Sequence, residues 1–329
     1  MKIAIVKLSS LGDIVHSMVV LQFIKKHYPE SVIDWVVEKR FKGILENNPH
    51  INQIHTVNLN NVKRDKSLIL LFTEVSKVRK FGQYDVVIDL QGLIKSAIIT
   101  KLISSRKKVG FDKNSIRETI ASFFYNQKVS IGYEKNTIER YVKLISEALS
   151  IKITNDDIIN KEFYLFSKSK VLIPQTPYIV FVVGSTWESR NYPKEKYVQV
   201  ANAIKKDCLV VWGNEQEKER AEWLSSESNY IQVMSKLSLD DLKHVISHAS
   251  LLIGNDTGPS HMSWALNIPS IILFGPTPVE RTFQTPTNKV LKSSSKINHM
   301  KLNKKDFSIK EISVNDIAKM ARHLLQISL

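Results

Sequence analysis

Leu251–Met262, LLIGNDTGPSHM, passes from an apolar run through a small polar turn into a helical pattern. Ser250–Ile253 reads as a buried strand, and Gly254, Asn255 and Asp256 break it. Thr257-Gly258-Pro259-Ser260 then opens a helix that continues through His261, Met262 and Trp264 to Leu266. Proline fits a first helical turn, and threonine or glycine can cap one. A turn of this kind leaves backbone N–H groups free at the carboxyl edge of a sheet, where they attract anions. Asp256 and His261 flank that point with a carboxylate and an imidazole. A plain strand–helix turn with an Asx cap and a surface histidine has the same pattern, so the residues alone leave both readings open.

The same strand-to-helix alternation extends outward in both directions. In the second half, strands are expected at 178–183, 208–212, 230–234 and 269–274, separated by helices. In the first half they are expected at 2–7, 31–38, 54–59, 84–90 and 107–111. Residues 60–66 read as a mobile basic loop, and 67–81 as a helix. Two such blocks imply an α/β protein with two Rossmann-like, doubly wound parallel sheets. The boundaries fall at 1–155, a linker at 156–176, a second domain at 177–310 and a terminal helix at 311–329. Ligands of open α/β sheets bind outside the carboxyl ends of the strands, so two facing edges would form a cleft.

That edge carries Asp13 in the first half, after Ser10 and Gly12 in LSSLGD. Its alternative role is helix N-cap. The turn is not the GxGxxG of a dinucleotide site, which argues against NAD. In the second half the edge carries Ser185, Thr186, Glu217, Asp256 and His261. Glu217 also suits a helix dipole in an early turn.

The composition of the 329 residues, 43% hydrophobic and 24% charged, is that of a soluble globular chain. No apolar run approaches a membrane span. Met1 leads directly into KIAIV, so no signal or transit peptide is expected and the chain reads as cytoplasmic. The single cysteine, Cys208, sits in a strand-like run and reads as a small buried hydrophobe. The net charge of +15 asks for an anionic partner. No zinc-finger, RNP-like or Walker A pattern points to nucleic acid, and none is expected as a partner. Arg117, Arg140 and their neighbours could grip an acidic substrate or form a solvated face.

KLSSLGDIVHS, DLQGLIKSA, GFDKNSIRE, ERY and NDTGPSHMSWAL occur in that order along nearly the whole chain. Together they resemble the ADP-heptose:lipopolysaccharide heptosyltransferases. KLSSLGD and QGLIKSA are closest to the heptosyltransferase I branch, with heptosyltransferase II as the alternative. A nucleotide- or lipid A-binding module without turnover is the alternative of a different class. The resemblance implies a GT-B fold with the acceptor on the first domain, the nucleotide sugar on the second and the terminal helix packed back on the first. It implies inverting transfer from ADP-heptose to the Kdo of Kdo-lipid A, with no cofactor and no metal ligands, and peripheral contact with the anionic cytoplasmic face of the inner membrane.

By the same resemblance Asp13 is the general base. Ser185, Thr186, Asp256, Thr257, Gly258 and His261 contact the diphosphate and sugar, and Glu217 contacts the ribose. Leu237 joins this donor set. Arg190, where many relatives carry lysine, is assigned to both donor binding and catalysis. Ser10, Gly12, Lys63, Arg64, Arg117 and Arg140 form the acceptor side. Pro259 departs from the aliphatic residue often found there and removes one backbone donor.

Overall fold

The computed structural model describes residues 1–65, 67–299 and 301–327, apart from the side chains of Lys63 and Ile327. The chain divides into two compact units, Met1–Tyr164 and Leu165–Leu329. The boundary falls inside the expected linker.

The first unit is built on six parallel strands: β1 Lys2–Val6, β2 Val32–Glu38, β3 Gln53–Val57, β4 Gln83–Asp89, β5 Ser104–Phe111 and β6 Gln127–Val129. Their spatial order is β3-β2-β1-β4-β5-β6. β1 pairs with β2 through Ile3–Ile33 and Ile5–Trp35, and with β4 through Ile3–Val86 and Ile5–Ile88. A strand paired on both sides and covered by helices on both faces reads as a continuous apolar run, as KIAIV does. The strand order reverses between β1 and β4. The connections leaving their carboxyl ends run to opposite faces of the sheet there, which leaves a crevice for a ligand.

The second unit repeats this plan with β7 Ile179–Val182, β8 Cys208–Val211, β9 Ile231–Val233, β10 Leu251–Asn255, β11 Ser270–Phe274 and β12 Asn288–Lys292. The order β12-β11-β10-β7-β8-β9 is the same topology read from the other side, with its reversal between β7 and β10. This pair of sheets is the GT-B arrangement. Gly254 in β10 lets the next helix, Gly258–Ala265, approach the sheet. A Cβ at Gly254 would lie 2.6 Å from Ser260 Oγ and 2.7 Å from Val182 Cβ. Cys208 is buried within this unit's core, as its strand context predicts.

Three features depart from the sequence reading. Residues 59–65 form a helix, Leu59–Asp65, where a basic loop is expected. β6 and β12 are edge strands that the periodicity does not reveal. The short helix Asn155–Ile159, closed by a Thr154–Asp157 capping box, occupies the start of the expected linker. The terminal helix Val314–Ile327 spends its apolar face on the second unit, where Ile317, Ala318, Ala321 and Leu324 join the core with Val200 and Ile204. Among the described residues no helix is long and apolar enough to cross a membrane.

Candidate functional site

In the first unit the turn after β1 carries Leu8-Ser9-Ser10 into the helix Leu11–Ser17. Gln91, just past β4, pins this turn. Its Oε1 accepts the Leu8 and Ser9 amides at 2.7 and 3.1 Å, and its Nε2 donates to Ser9 Oγ at 3.1 Å. Ser10 is the N-cap and Asp13 the third helical residue. The Ser10 amide and hydroxyl donate to Asp13 Oδ2 at 3.1 and 2.7 Å. Asp13 is therefore not the N-cap. It closes a capping box from inside the helix, which fixes its carboxylate at the crevice.

That crevice is a cavity of about 160 Å³ at the β1/β4 reversal. Asp13, Arg117 and Arg140 line it, joined by Lys7, Gln91, Tyr133 and Tyr141. Lys7 is buried at 4% exposure. Its Nζ donates to Tyr141 Oη at 2.8 Å and to the Leu90 carbonyl at 3.3 Å. Burial lowers the Lys7 pKa, opposed by the carboxylates of Asp13 and Asp89 and reinforced by Arg140 and Lys95. Burial likewise raises the pKa of Asp89, against hydrogen bonds from Ser96, Tyr125 and the Gln91 and Gly92 amides. Arg140 donates to the Tyr133 and Ser115 carbonyls at 3.1 and 2.6 Å and lies 4.8 Å over the Tyr133 ring. Arg117 approaches the same ring from the exposed side, at 6.0 Å.

Arg64 does not line this cavity. It is exposed on the helix Leu59–Asp65 and forms a fork with Asp65, at 2.7 and 3.1 Å. The Lys63 side chain lies outside the described residues. Lys7, Gln91 and Tyr141 are cavity residues that the sequence reading missed. The one available signal was a lysine ending an apolar run at the carboxyl edge of a sheet.

In the second unit the β7/β10 reversal brings Asp256, His261 and Arg190 into contact. Asp256 follows β10 and is 2% exposed. Its Oδ1 faces His261 Nε2 at 2.9 Å, and its Oδ2 accepts from Arg190 Nη2 at 3.0 Å and Thr277 Oγ1 at 2.7 Å. Burial pushes the Asp256 carboxyl up, but the Arg190 guanidinium, the His261 hydrogen bond and charge, and Arg281 outweigh it and hold the pKa far below the carboxylate range. An ionised carboxylate only accepts, so His261 Nε2 carries the proton in this bond. Asp256 thus serves as the hub that orients Arg190 and His261. Thr277 completes it from beyond β11, another residue the sequence reading missed.

The helix Gly258–Ala265 starts beside this hub, with Thr257 as N-cap and Pro259 in its first turn. Its first-turn amides have no partner within the helix. After β7, Ser185 Oγ donates to the Trp187 carbonyl at 2.9 Å, and Thr186 is exposed. Arg190 lies 5.4 Å over the Trp187 ring. Glu217 Oε2 accepts the Gly213 amide at 2.7 Å, and the Glu217 amide donates to the N-cap Asn214 at 3.0 Å. Gly184 gives Glu217 its place, because a Cβ there would sit 2.3 Å from the carboxylate. Leu237 is half-buried between β9 and the helix Leu239–Ser247. Among the described residues no group of three or more His, Cys, Asp or Glu side chains is placed to hold a metal ion.

A family model for glycosyltransferase family 9 (heptosyltransferase) matches residues 75–312. The chain is 40% identical to lipopolysaccharide heptosyltransferase 1 of Campylobacter coli, covering 98% of this chain and 99% of the relative. It is 30% identical to lipopolysaccharide heptosyltransferase 1 of Escherichia coli K12, covering 84% and 88%. Escherichia coli heptosyltransferase WaaC with ADP-2-deoxy-2-fluoro heptose matches at a TM-score of 0.81 and 25% identity, covering 98% and 99%. Escherichia coli ADP-heptose lps heptosyltransferase II shares the fold at a TM-score of 0.71 and 18% identity, covering 99% of each chain.

Proposed function

The chain belongs to glycosyltransferase family 9, the heptosyltransferases, and from that premise we propose that it is a lipopolysaccharide heptosyltransferase 1. It transfers heptose from ADP-heptose to the Kdo of Kdo-lipid A. The observation that carries this reading is the Asp13 carboxylate on the wall of a cavity whose other charged lining residues are Lys7, Arg117 and Arg140. Kdo is a sugar acid on a phosphorylated lipid. An acceptor of that chemistry needs a base for one hydroxyl and cations for its carboxylate and phosphates.

In the proposed reaction Asp13 takes the proton of the attacking Kdo hydroxyl. The oxygen forms its bond to the anomeric carbon as the bond from that carbon to the β-phosphate oxygen breaks, and configuration inverts. Ser10 keeps the Asp13 carboxylate in one orientation through its two hydrogen bonds, while Gly12 lets the turn run close beneath the acceptor. Lys7, Arg117 and Arg140 hold the acceptor's anionic groups, and the exposed Arg64 meets those that lie outside the cavity.

ADP leaves with growing negative charge on its β-phosphate. Support for a route without metal or cofactor comes from the donors gathered at the second sheet edge. These are the amides at Thr257 and Gly258, the hydroxyls of Ser185 and Thr186, and Arg190. Asp256 positions Arg190 and His261, with His261 turned toward the sugar. Glu217 accepts from the ribose hydroxyls, and Leu237 packs beside the nucleoside. The enzyme works at the cytoplasmic face of the inner membrane, in peripheral contact with its anionic lipids.

Mass spectrometry of Kdo-lipid A incubated with ADP-heptose and the purified chain tests this reading. A gain of one heptosyl group undiminished by a chelator is expected, and NMR of the product should show inverted configuration at the transferred anomeric carbon. An unmodified acceptor would contradict the transfer, and loss of product with the chelator would contradict its metal independence.

A further inference from the structure

The helix Leu68–Arg79 begins with five large apolar residues in succession, Leu68-Ile69-Leu70-Leu71-Phe72, and all five are exposed. Leu68, Ile69 and Phe72 are 69%, 79% and 70% exposed, and Val78 is the only buried residue of this helix. At about 100° per residue Leu68, Ile69 and Phe72 fall on one face, while Leu70 and Leu71, 37% and 39% exposed, lie on the sides nearer the neighbouring helices. An apolar helix face bordered by lysine and arginine is the pattern of a helix that lies in the interface of an anionic bilayer.

Charge surrounds this apolar turn at both ends. Residues 59–80 contain Lys63, Arg64, Lys66, Lys77, Arg79 and Lys80 against two acids, Asp65 and Glu74. Ile69, Phe72 and Phe81 also line an open groove of about 820 Å³, together with Lys77, Lys80 and polar side chains such as Thr73 and Ser76. Its apolar residues suit acyl carbons and its two lysines suit a lipid phosphate. The neighbouring helix Ile94–Leu102, which packs against both Leu68–Arg79 and the turn Thr119–Phe124, adds Ile98. That turn adds Ile120 and Phe123, at 57% and 77% exposure. The same turn follows Ile116 and Arg117 of the acceptor cavity directly.

We propose that Leu68–Phe72 and its flanking lysines and arginines form the element that inserts this protein into an anionic bilayer, next to the cavity that receives the acceptor's sugar. The inference deepens the membrane contact proposed above by naming its surface. A lipid-anchored acceptor then stays in the bilayer while only its headgroup is lifted into the cavity.

The test uses the full chain with vesicles of phosphatidylethanolamine and phosphatidylglycerol, compared with neutral phosphatidylcholine vesicles. The parent should sediment with the anionic vesicles, and Ile69→Ser/Phe72→Ser should lower that binding by about tenfold. An Ile69→Cys variant carrying a fluorophore should be quenched by brominated acyl chains, since the native Cys208 is buried. Both variants change exposed residues, so the unfolding midpoint should stay with the parent. Vesicle binding unchanged by the double substitution, an unquenched label, equal binding to neutral vesicles, or a patch-dependent dimer in place of vesicle binding would each overturn the proposal. Activity is read separately: the double variant should release ADP normally with a delipidated Kdo acceptor and slowly with a vesicle-embedded one. Absence of ADP release in the parent would count against the transferase, whatever the vesicles show.

Discussion

Arg190 and Asp256 form a buried ion pair, with Arg190 Nη2 3.0 Å from Asp256 Oδ2 and the two side chains 10% and 2% exposed. The pair joins the loop after β7 to the end of β10, across the reversal point of the second sheet. Asp256→Asn would leave a guanidinium that cannot deprotonate without its partner, at a cost of about 3–5 kcal/mol. Its pH dependence has a definite sign. The folded pKa of Asp256 lies far below its unfolded value, so its contribution is complete above the ordinary carboxylate range. The contribution is lost as pH falls through that range toward the folded value. Urea unfolding from pH 7 downward should therefore show the parent losing more stability below about pH 4 than Asp256→Asn. Parallel curves would show that the pair contributes nothing through ionisation.

Asp13→Ala separates two roles that share one carboxylate. Removing the base should lower turnover by roughly 10²–10⁴-fold with ADP-heptose affinity preserved. Removing the capping box should lower stability by only about 1 kcal/mol. Isothermal titration, steady-state rates and thermal unfolding on one preparation distinguish them. Turnover equal to the parent's would leave Asp13 with the cap alone.

Arg117 and Arg140 line the same cavity but are held differently. Arg140 is fixed by the Tyr133 and Ser115 carbonyls, whereas Arg117 is exposed. Arg117→Ala should raise the acceptor KM several-fold and leave the unfolding midpoint alone. Arg140→Ala should raise the KM and also destabilise the fold, by about 1–3 kcal/mol, because two carbonyls lose their donor. A change in donor KM alone, in either variant, would remove that arginine from the acceptor side.

A Cβ on Gly184 would lie 2.3 Å from the Glu217 carboxyl carbon, so Gly184→Ala should displace that side chain. Gly184→Ala should weaken ADP binding about as much as Glu217→Ala, with the double variant no worse than either single one. Titration calorimetry measures all three. Additive losses would show that Glu217 binds the nucleotide without needing the space at Gly184.

The apolar strands that carry both sheets were legible in the sequence because a parallel strand covered on both faces keeps its residues apolar throughout. IAIV in β1, VVI in β4 and LLI in β10 show this. The edge strands β6 and β12 were not, since QKV and NKVLK are short, alternate polar residues and bury little. The helix Leu59–Asp65 was hidden for a related reason: LNNVKRD has no apolar period. Asp13, Asp256 and His261 were visible as edge residues. Their partners were less so, because Gln91 lies 82 residues from Ser9 and Thr277 lies 21 from Asp256, distances that only the sheet topology closes. The terminal helix showed its amphipathic pattern without showing which core it would cover.

The most direct measurement is ADP release from ADP-heptose by the purified chain, run once with Kdo-lipid A and once with an acceptor that already carries its first heptose. Rapid release with Kdo-lipid A and little with the heptosylated acceptor is expected. Release with the heptosylated acceptor alone would make the chain a heptosyltransferase II. No release with either acceptor, alongside measurable ADP-heptose binding, would contradict transfer to this lipid.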